Sequence, residues 1–279
     1  MDITINGNSA DIILEKERTL GDFLSGIETW LSGSRHILSG LQVDGAVIGV
    51  NAMADAFLWE LEKIKTIALK TSTYSELLAE ALCTAREILQ TYEAVSFNEQ
   101  GRLREPWEKS PAGLFLSEEA PDVYEGILKT LGGEGLSPQT LEALMDERLR
   151  ELENPYGELK NMEGGVTAIA QRLEDLPLDI QTGKDQQAAQ TVSLFSGITE
   201  KLFRLFSLLN QEGIITEGRT VEDLSVQAFI AEFTAALKEL LAAYEVKDVV
   251  LVGDLAEYEL APRLLQFYSA VRSFAEEPV

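Results

Sequence analysis

One histidine, His36, and one cysteine, Cys83, bound the chemistry open to this chain. A nucleophilic triad needs a base held beside a nucleophile. His36 stands next to Ile37 with no such partner in its neighbourhood, so its expected place is a helix end or strand edge. Structural zinc needs clusters of Cys and His, and carboxylate-bridged di-iron bundles need Glu-x-x-His pairs. The sequence has neither, and we expect no metal site and no cofactor. No Gly-x-x-x-x-Gly-Lys-Ser/Thr run supports a phosphate-binding loop. Val252-Gly253-Asp254 follows a valine-rich run but lacks the later glycines of a dinucleotide fingerprint. We expect no catalytic residue.

Carboxylates are the one abundant reactive group, at 47 Asp and Glu. Asp254 and Glu257 are three apart, a spacing that shares one face of a helix and could receive a basic partner or a divalent cation. The plainer expectation is a solvated acidic face. Gln181-Thr182-Gly183-Lys184-Asp185 is a polar turn before an apolar segment; an anion could sit at such a helix start, though a simple start suffices. Cys83, between Leu82 and Ala85, is expected to be a buried structural thiol.

The net charge of −24 repels nucleic-acid backbones and anionic membranes and favours basic or amphipathic protein partners. Residues 1–72 hold 6 Lys and Arg against 10 Asp and Glu, or −4, which leaves −20 for residues 73–279. A lone cysteine allows no internal disulfide and fits a reducing cytoplasm. Met1-Asp2-Ile3-Thr4 has neither the basic start nor the apolar run of a secretion signal. No apolar stretch approaches the length of a membrane span.

Two periods divide the chain. Ile3 and Ile5 alternate with polar residues, meet Asn6-Gly7, and are followed by a short run from Ala10 to Leu14, which reads as a hairpin. Thr19 and Asp22 form a capping box for a helix whose buried stripe reads Leu20, Phe23, Leu24, Ile27, Trp30 and Leu31. Val43-Asp44-Gly45-Ala46 signals a second hairpin, residues 51–61 a short helix, and Ile64 to Thr71 a last strand. The order strand, strand, helix, strand, strand, strand resembles the β-grasp (ubiquitin-like) superfold, and most closely its small sulfur carriers, over some 70 residues. The carrier chemistry does not transfer, because those proteins end in a reactive Gly-Gly and this sequence ends Glu277-Pro278-Val279. The resemblance implies a packing or interaction module.

Beyond Thr71 the period is helical. Leu77, Leu78, Ala81, Leu82, Ala85, Ile88, Leu89 and Tyr92 make one stripe. Residues 96–137 hold Pro106, Pro111 and Pro121 with several glycines and read as loop, with a short helix from Val123 to Leu131. A long loop is a natural contact surface, so Trp107, Leu114 and Phe115 join Asp254 and Glu257 as candidate partner-binding residues. Ser137-Pro138 opens a helix that Asn154-Pro155 closes, and another spans Met162 to Leu173 and stops before Pro177. Lys184 to Asn210 is apolar around most of its circumference and should lie centrally. Thr220-Val221-Glu222-Asp223 resembles a helix start. Val249 to Val252 could be a strand; we favour the start of a last helix reaching Phe274 and broken at Pro262.

The expected fold class is therefore α+β, with a β-grasp-like domain at 1–72 and an acidic helical domain at 73–279. The expected function is non-catalytic protein binding, as an adaptor, scaffold or chaperone-like factor. The rivals are an enzyme using carboxylates in an interdomain cleft and a structural homodimer.

Overall fold

Asn6-Gly7 and Asp44-Gly45 are the two points on which the N-terminal sheet turns. All four residues adopt positive φ, at 50°, 79°, 50° and 83°, the geometry of the tight turns that suit twisted hairpins. In the computed structural model, which describes residues 1–14, 16–216 and 218–276, these turns join β1 (Asp2–Ile5) to β2 (Asn8–Ser9) and β3 (His36–Val43) to β4 (Ala46–Val47). Between the hairpins runs α1 (Leu20–Ser32), and α2 (Val50–Ala56) and a 3-10 turn at Leu61–Lys63 lead to β5 (Thr66–Thr73). The sheet order is β2-β1-β5-β3-β4. β5 lies in the middle, parallel to β1 and antiparallel to β3.

The turn side chains also fasten β5. Asp44 accepts hydrogen bonds from the Lys65 and Thr66 amides, both at 2.8 Å, and these hold its carboxyl below the usual range. Asn6 accepts from the Thr71 amide at 2.9 Å and donates to the Thr71 carbonyl at 3.1 Å. One sheet face and α1 enclose a core of Ile3, Leu20, Phe23, Leu24, Ile27, Leu31, Leu41, Val43, Ile67 and Leu69.

Strand passes into helix without a loop. Thr73 ends β5 and caps α3 (Tyr74–Ala94), with its hydroxyl accepting from the Glu76 amide and the Glu76 carboxylate accepting from its own. Residues 96–137, read as loop apart from a helix at Val123–Leu131, are mostly helix: α4 (Phe97–Gln100), α5 (Arg104–Glu108), α6 (Pro111–Glu119) and α7 (Pro121–Leu131), the last of them the helix expected. Pro111 and Pro121 stand in first turns, where a fixed φ helps and a missing N–H costs nothing; the helix that Pro111 starts was read as loop. Helix α8 (Pro138–Glu153) follows. Cys83 is exposed on α3, contrary to the buried thiol expected, because Leu82 and Ala85 turn the buried face one position away from it.

The chain divides into two compact units, Met1–Leu149 and Arg150–Val279. In the first, α3 packs on α6 and α7. Gly113 is required where α5 passes into α6, because a Cβ there would run into the Trp107 carbonyl. We expect Gly113→Ala to cost about 1–3 kcal/mol by overpacking, read as a lower urea midpoint in tryptophan emission. All three tryptophans, Trp30, Trp59 and Trp107, lie in this unit. An unchanged midpoint would mean that the α5–α6 turn yields freely.

The second unit holds α9 (Pro155–Asn161), α10 (Glu163–Gln181), α11 (Asp185–Gln211), a hairpin of β6 (Thr220–Val221) and β7 (Leu224–Ser225), α12 (Val226–Glu245), α13 (Val249–Asp254) and α14 (Ala261–Glu276). Three expectations change here. Thr220–Asp223 is a hairpin rather than a helix start, with Glu222 and Asp223 both at positive φ. α10 runs on through Pro177, whose ring sits against Gly253 of α13. α10 packs on α11, α13 and α14 and is the hub, while α11, expected to be central, leaves Leu194 exposed. Val249–Val252 is helical, and the break at Pro262 takes the form of a π turn at Leu255–Leu260. Proline has no N–H for the carbonyl four residues back and crowds it, so the turn before it widens. The chain is thus α+β, a small N-terminal mixed sheet followed by a mostly helical region.

Candidate functional site

The largest concentration of exposed apolar side chains described in the first unit flanks α1. The capping box at Thr19 and Asp22 fixes where α1 begins, and its amide bonds hold the Asp22 carboxyl below the usual range. Leu20, Leu24, Ile27 and Leu31 then face the sheet. Trp30, placed in that stripe by its spacing, is 61% exposed. It falls about 100° around the helix from Leu31, on the side where Gly26 also lies.

Residues Ala10 to Leu14, expected as strand, leave the ladder after Ser9. The Ala10 amide still donates to the Ile3 carbonyl at 2.9 Å. Ile12 packs on the sheet core, and Ile13 points outward, 83% exposed. This segment and α1 bound a groove of about 640 Å³ floored by Phe23, Gly26, Ile27 and Trp30 and walled by Ile12, Ile13 and Leu14. Its charged lining residues are Asp11 and Glu17.

A second patch lies by the start of α1, about 15 Å along the helix from Trp30. Leu58 and Trp59 are 76% and 42% exposed, with Phe57 and Val47 also open to solvent. The backbone beneath them is pinned: the Leu20 amide donates to the Trp59 carbonyl at 2.8 Å, Gly21 to Phe57 at 3.0 Å, and Leu61 to Arg18 at 2.9 Å. Leu58, Trp59, Val43 and Ile64 line a cleft of about 520 Å³. The second patch stands on backbone ordered by the fold, so a partner would not have to order it there.

Of the residues singled out from sequence, Trp107 is 2% exposed and tilts against Tyr124 at 6.5 Å between ring centres. It is a core group, and the contact role expected for it does not survive its burial. Leu114 is exposed on α6, and Phe115 is half-buried against the Tyr74 ring at 6.2 Å. The Tyr74 hydroxyl donates to Glu119 at 2.9 Å, and burial, then this bond, raises its pKa. Asp254 and Glu257 are exposed at the junction of α13 and the π turn in the second unit. His36 opens β3 with Nδ1 2.8 Å from the Ser34 carbonyl.

The carboxyls with resolved shifts among the described residues, Asp22, Asp44, Glu99, Asp179 and Glu276, are all held below their usual range by hydrogen-bond donors. A general acid would need the opposite shift. Among the described residues, no group of three or more His, Cys, Asp or Glu could hold a metal ion. No described helix is long and apolar enough to cross a membrane.

Spacing could have indicated the groove. Gly26 and Trp30 are one helical turn apart, off the Leu24-Ile27-Leu31 line, and Ile12-Ile13-Leu14 is too apolar for one face of a strand to bury.

Residues 1–73 match the family model of the TP0873 N-terminal domain, a stretch that ends where β5 ends. Residues 158–270, within the second unit, match a domain of unknown function, DUF8042. An uncharacterised protein of Treponema pallidum (strain Nichols) is 23% identical over 266 residues, covering 94% of this chain and 92% of the relative. No solved structure matches.

Proposed function

We propose that this chain is a non-catalytic protein-interaction module acting as an adaptor, scaffold or chaperone-like factor. The observation that carries the reading is the exposure of two of its three tryptophans, Trp30 and Trp59, each beside exposed aliphatic residues. Large apolar side chains gathered at a surface mark binding sites, and tryptophan is enriched at the centres of interfaces. The sheet order β2-β1-β5-β3-β4 around α1 supports a β-grasp, ubiquitin-like module for the N-terminal part. We take the partner to be a basic or amphipathic protein rather than a nucleic acid or a membrane, given the charge of −24, and the compartment to be the cytoplasm.

Affinity capture from the native lysate tests this with three baits: the intact chain, an Ile13→Ser/Trp30→Ser variant and a Leu58→Ser/Trp59→Ser variant. These positions are exposed, so both variants should keep the wild-type circular dichroism. A stoichiometric partner should appear with the intact chain and be lost from at least one variant. If both variants recover the same proteins as wild type, the reading fails.

A further inference from the structure

Gly26 sits in the interior of α1, where glycine is the costliest ordinary choice relative to alanine. Some glycines in this fold earn their place by contact: a Cβ on Gly113 meets backbone, and one on Gly21 would lie 3.0 Å from the Phe57 carbonyl. A Cβ on Gly26 would have nothing within 4 Å. Its φ is not in the left-handed region either. Neither backbone conformation nor packing within the chain explains it. What a bare helix position does provide is close approach by a body from outside. Gly26 lies on the floor of the α1 groove, with Trp30 one turn beyond it and Ile13 on the facing wall.

Building on the protein-binding reading, we propose that this groove takes a basic amphipathic helix of a partner protein, laid across α1 at Gly26. Helices pack at 8–10 Å between axes, and small residues at the crossing allow the shorter distance. A helix brings apolar residues at positions i, i+3, i+4 and i+7, which here would meet Phe23, Trp30, Ile13 and Leu14. Its charges should be basic, because the charged residues lining the groove among the described residues, Asp11 and Glu17, are both acidic. The same charges argue against a second copy of this chain, which would bring Asp11 and Glu17 against themselves within a total of −24 on each copy. A strand added at the β2 edge would lie beside the sheet and leave the floor at Gly26 uncovered.

The test uses the full chain and a synthetic helical peptide of leucine and lysine at amphipathic spacing, with a leucine and glutamate peptide of the same pattern as control. Titration is followed by tryptophan emission in a Trp59→Phe background, where Trp30 is exposed and the remaining Trp107 is buried away from the groove, and by calorimetry. The expected result is saturable binding of the lysine peptide with a blue shift, and at least tenfold weaker binding by both Ile13→Glu and Gly26→Leu. Leu58→Glu, in the other patch, should leave it unchanged. Ile13→Glu adds a negative charge, so non-specific attraction of a cationic peptide would rise with it; a loss therefore reports the groove. Gly26→Ala removes a helix-weakening glycine and should raise the urea midpoint while weakening the peptide, a combination that a merely structural glycine would not produce.

Absent or unsaturable binding overturns the proposal, as does binding indifferent to Ile13→Glu and Gly26→Leu, or equal binding of the glutamate peptide. Self-association in sedimentation that Ile13→Glu abolishes would overturn it in favour of a second copy. Any of these results leaves the wider protein-binding reading to the lysate capture, where the Leu58/Trp59 patch is tested separately.

Discussion

Replacing Glu151 with alanine should destabilise the helical second unit by about 3–5 kcal/mol, the usual cost of orphaning one side of a buried ion pair. The Glu151 carboxylate is only 1% exposed. Arg204 grips it with two bonds, Nε to Oε2 at 3.1 Å and Nη2 to Oε1 at 3.0 Å. Lys201, one turn earlier on α11, lies 3.8 Å from the same carboxylate and 2.8 Å from Glu158. The cluster ties the end of α8 and the start of α9 to α11. Removing Glu151 leaves two cations facing each other across its empty place. Because Arg204 remains partly open to water, the loss should fall nearer the lower figure. Glu151→Gln keeps the volume but loses the charge and should recover only part of it. Chemical denaturation followed by far-UV circular dichroism reads the effect. The second unit has no tryptophan, so emission follows the first unit separately. A wild-type midpoint for Glu151→Ala would mean that the pair contributes nothing beyond what water gives each ion.

Phe267→Ala should cost a comparable 3–5 kcal/mol. Phe267 on α14 is fully buried and is the ring on which the aromatic core converges. It meets Phe203 edge-on at 5.3 Å, Phe206 at 5.6 Å, and stacks on Phe229 at 5.7 Å. Alanine would lose the transfer energy of the ring and open a cavity that three other rigid rings cannot collapse to fill. Phe267→Leu keeps more of the volume and should lose much less. The same denaturation experiment separates them; equal, small losses in both variants would show that α14 can shift inward to close the gap.

The sheet and the capped helices were legible because their signals are local. Asn6-Gly7 and Asp44-Gly45 dictate positive φ whatever surrounds them, and Thr19/Asp22 satisfies amides within one turn of chain. The misreadings share another cause. Pro111 carries the same covalent restriction at the start of a helix as in a loop, and only the position of the next buried residue tells the two apart. Pro177 was read as a stop, yet the space beside Gly253 lets α10 continue through it. The Glu222-Asp223 turn has no glycine or asparagine to announce it.

The candidate site was the least legible part. Trp107 and Trp30 are both large rings within apolar stretches, and each was assigned to the wrong side of the surface. Burial is a property of what packs against a residue, and that is set by elements distant in sequence. Trp107 is covered because α6 and α7 fold back over α5, and Trp30 is open because Ala10–Leu14 leaves the sheet and stands away from α1. By itself the sequence determined the α+β class, the acidic charge, the two glycine turns of the N-terminal sheet and most helices, since each depends on composition or on contacts within a few residues. Only the tertiary structure decided which apolar side chains were left over once the cores were filled, because that remainder depends on how every element packs at once.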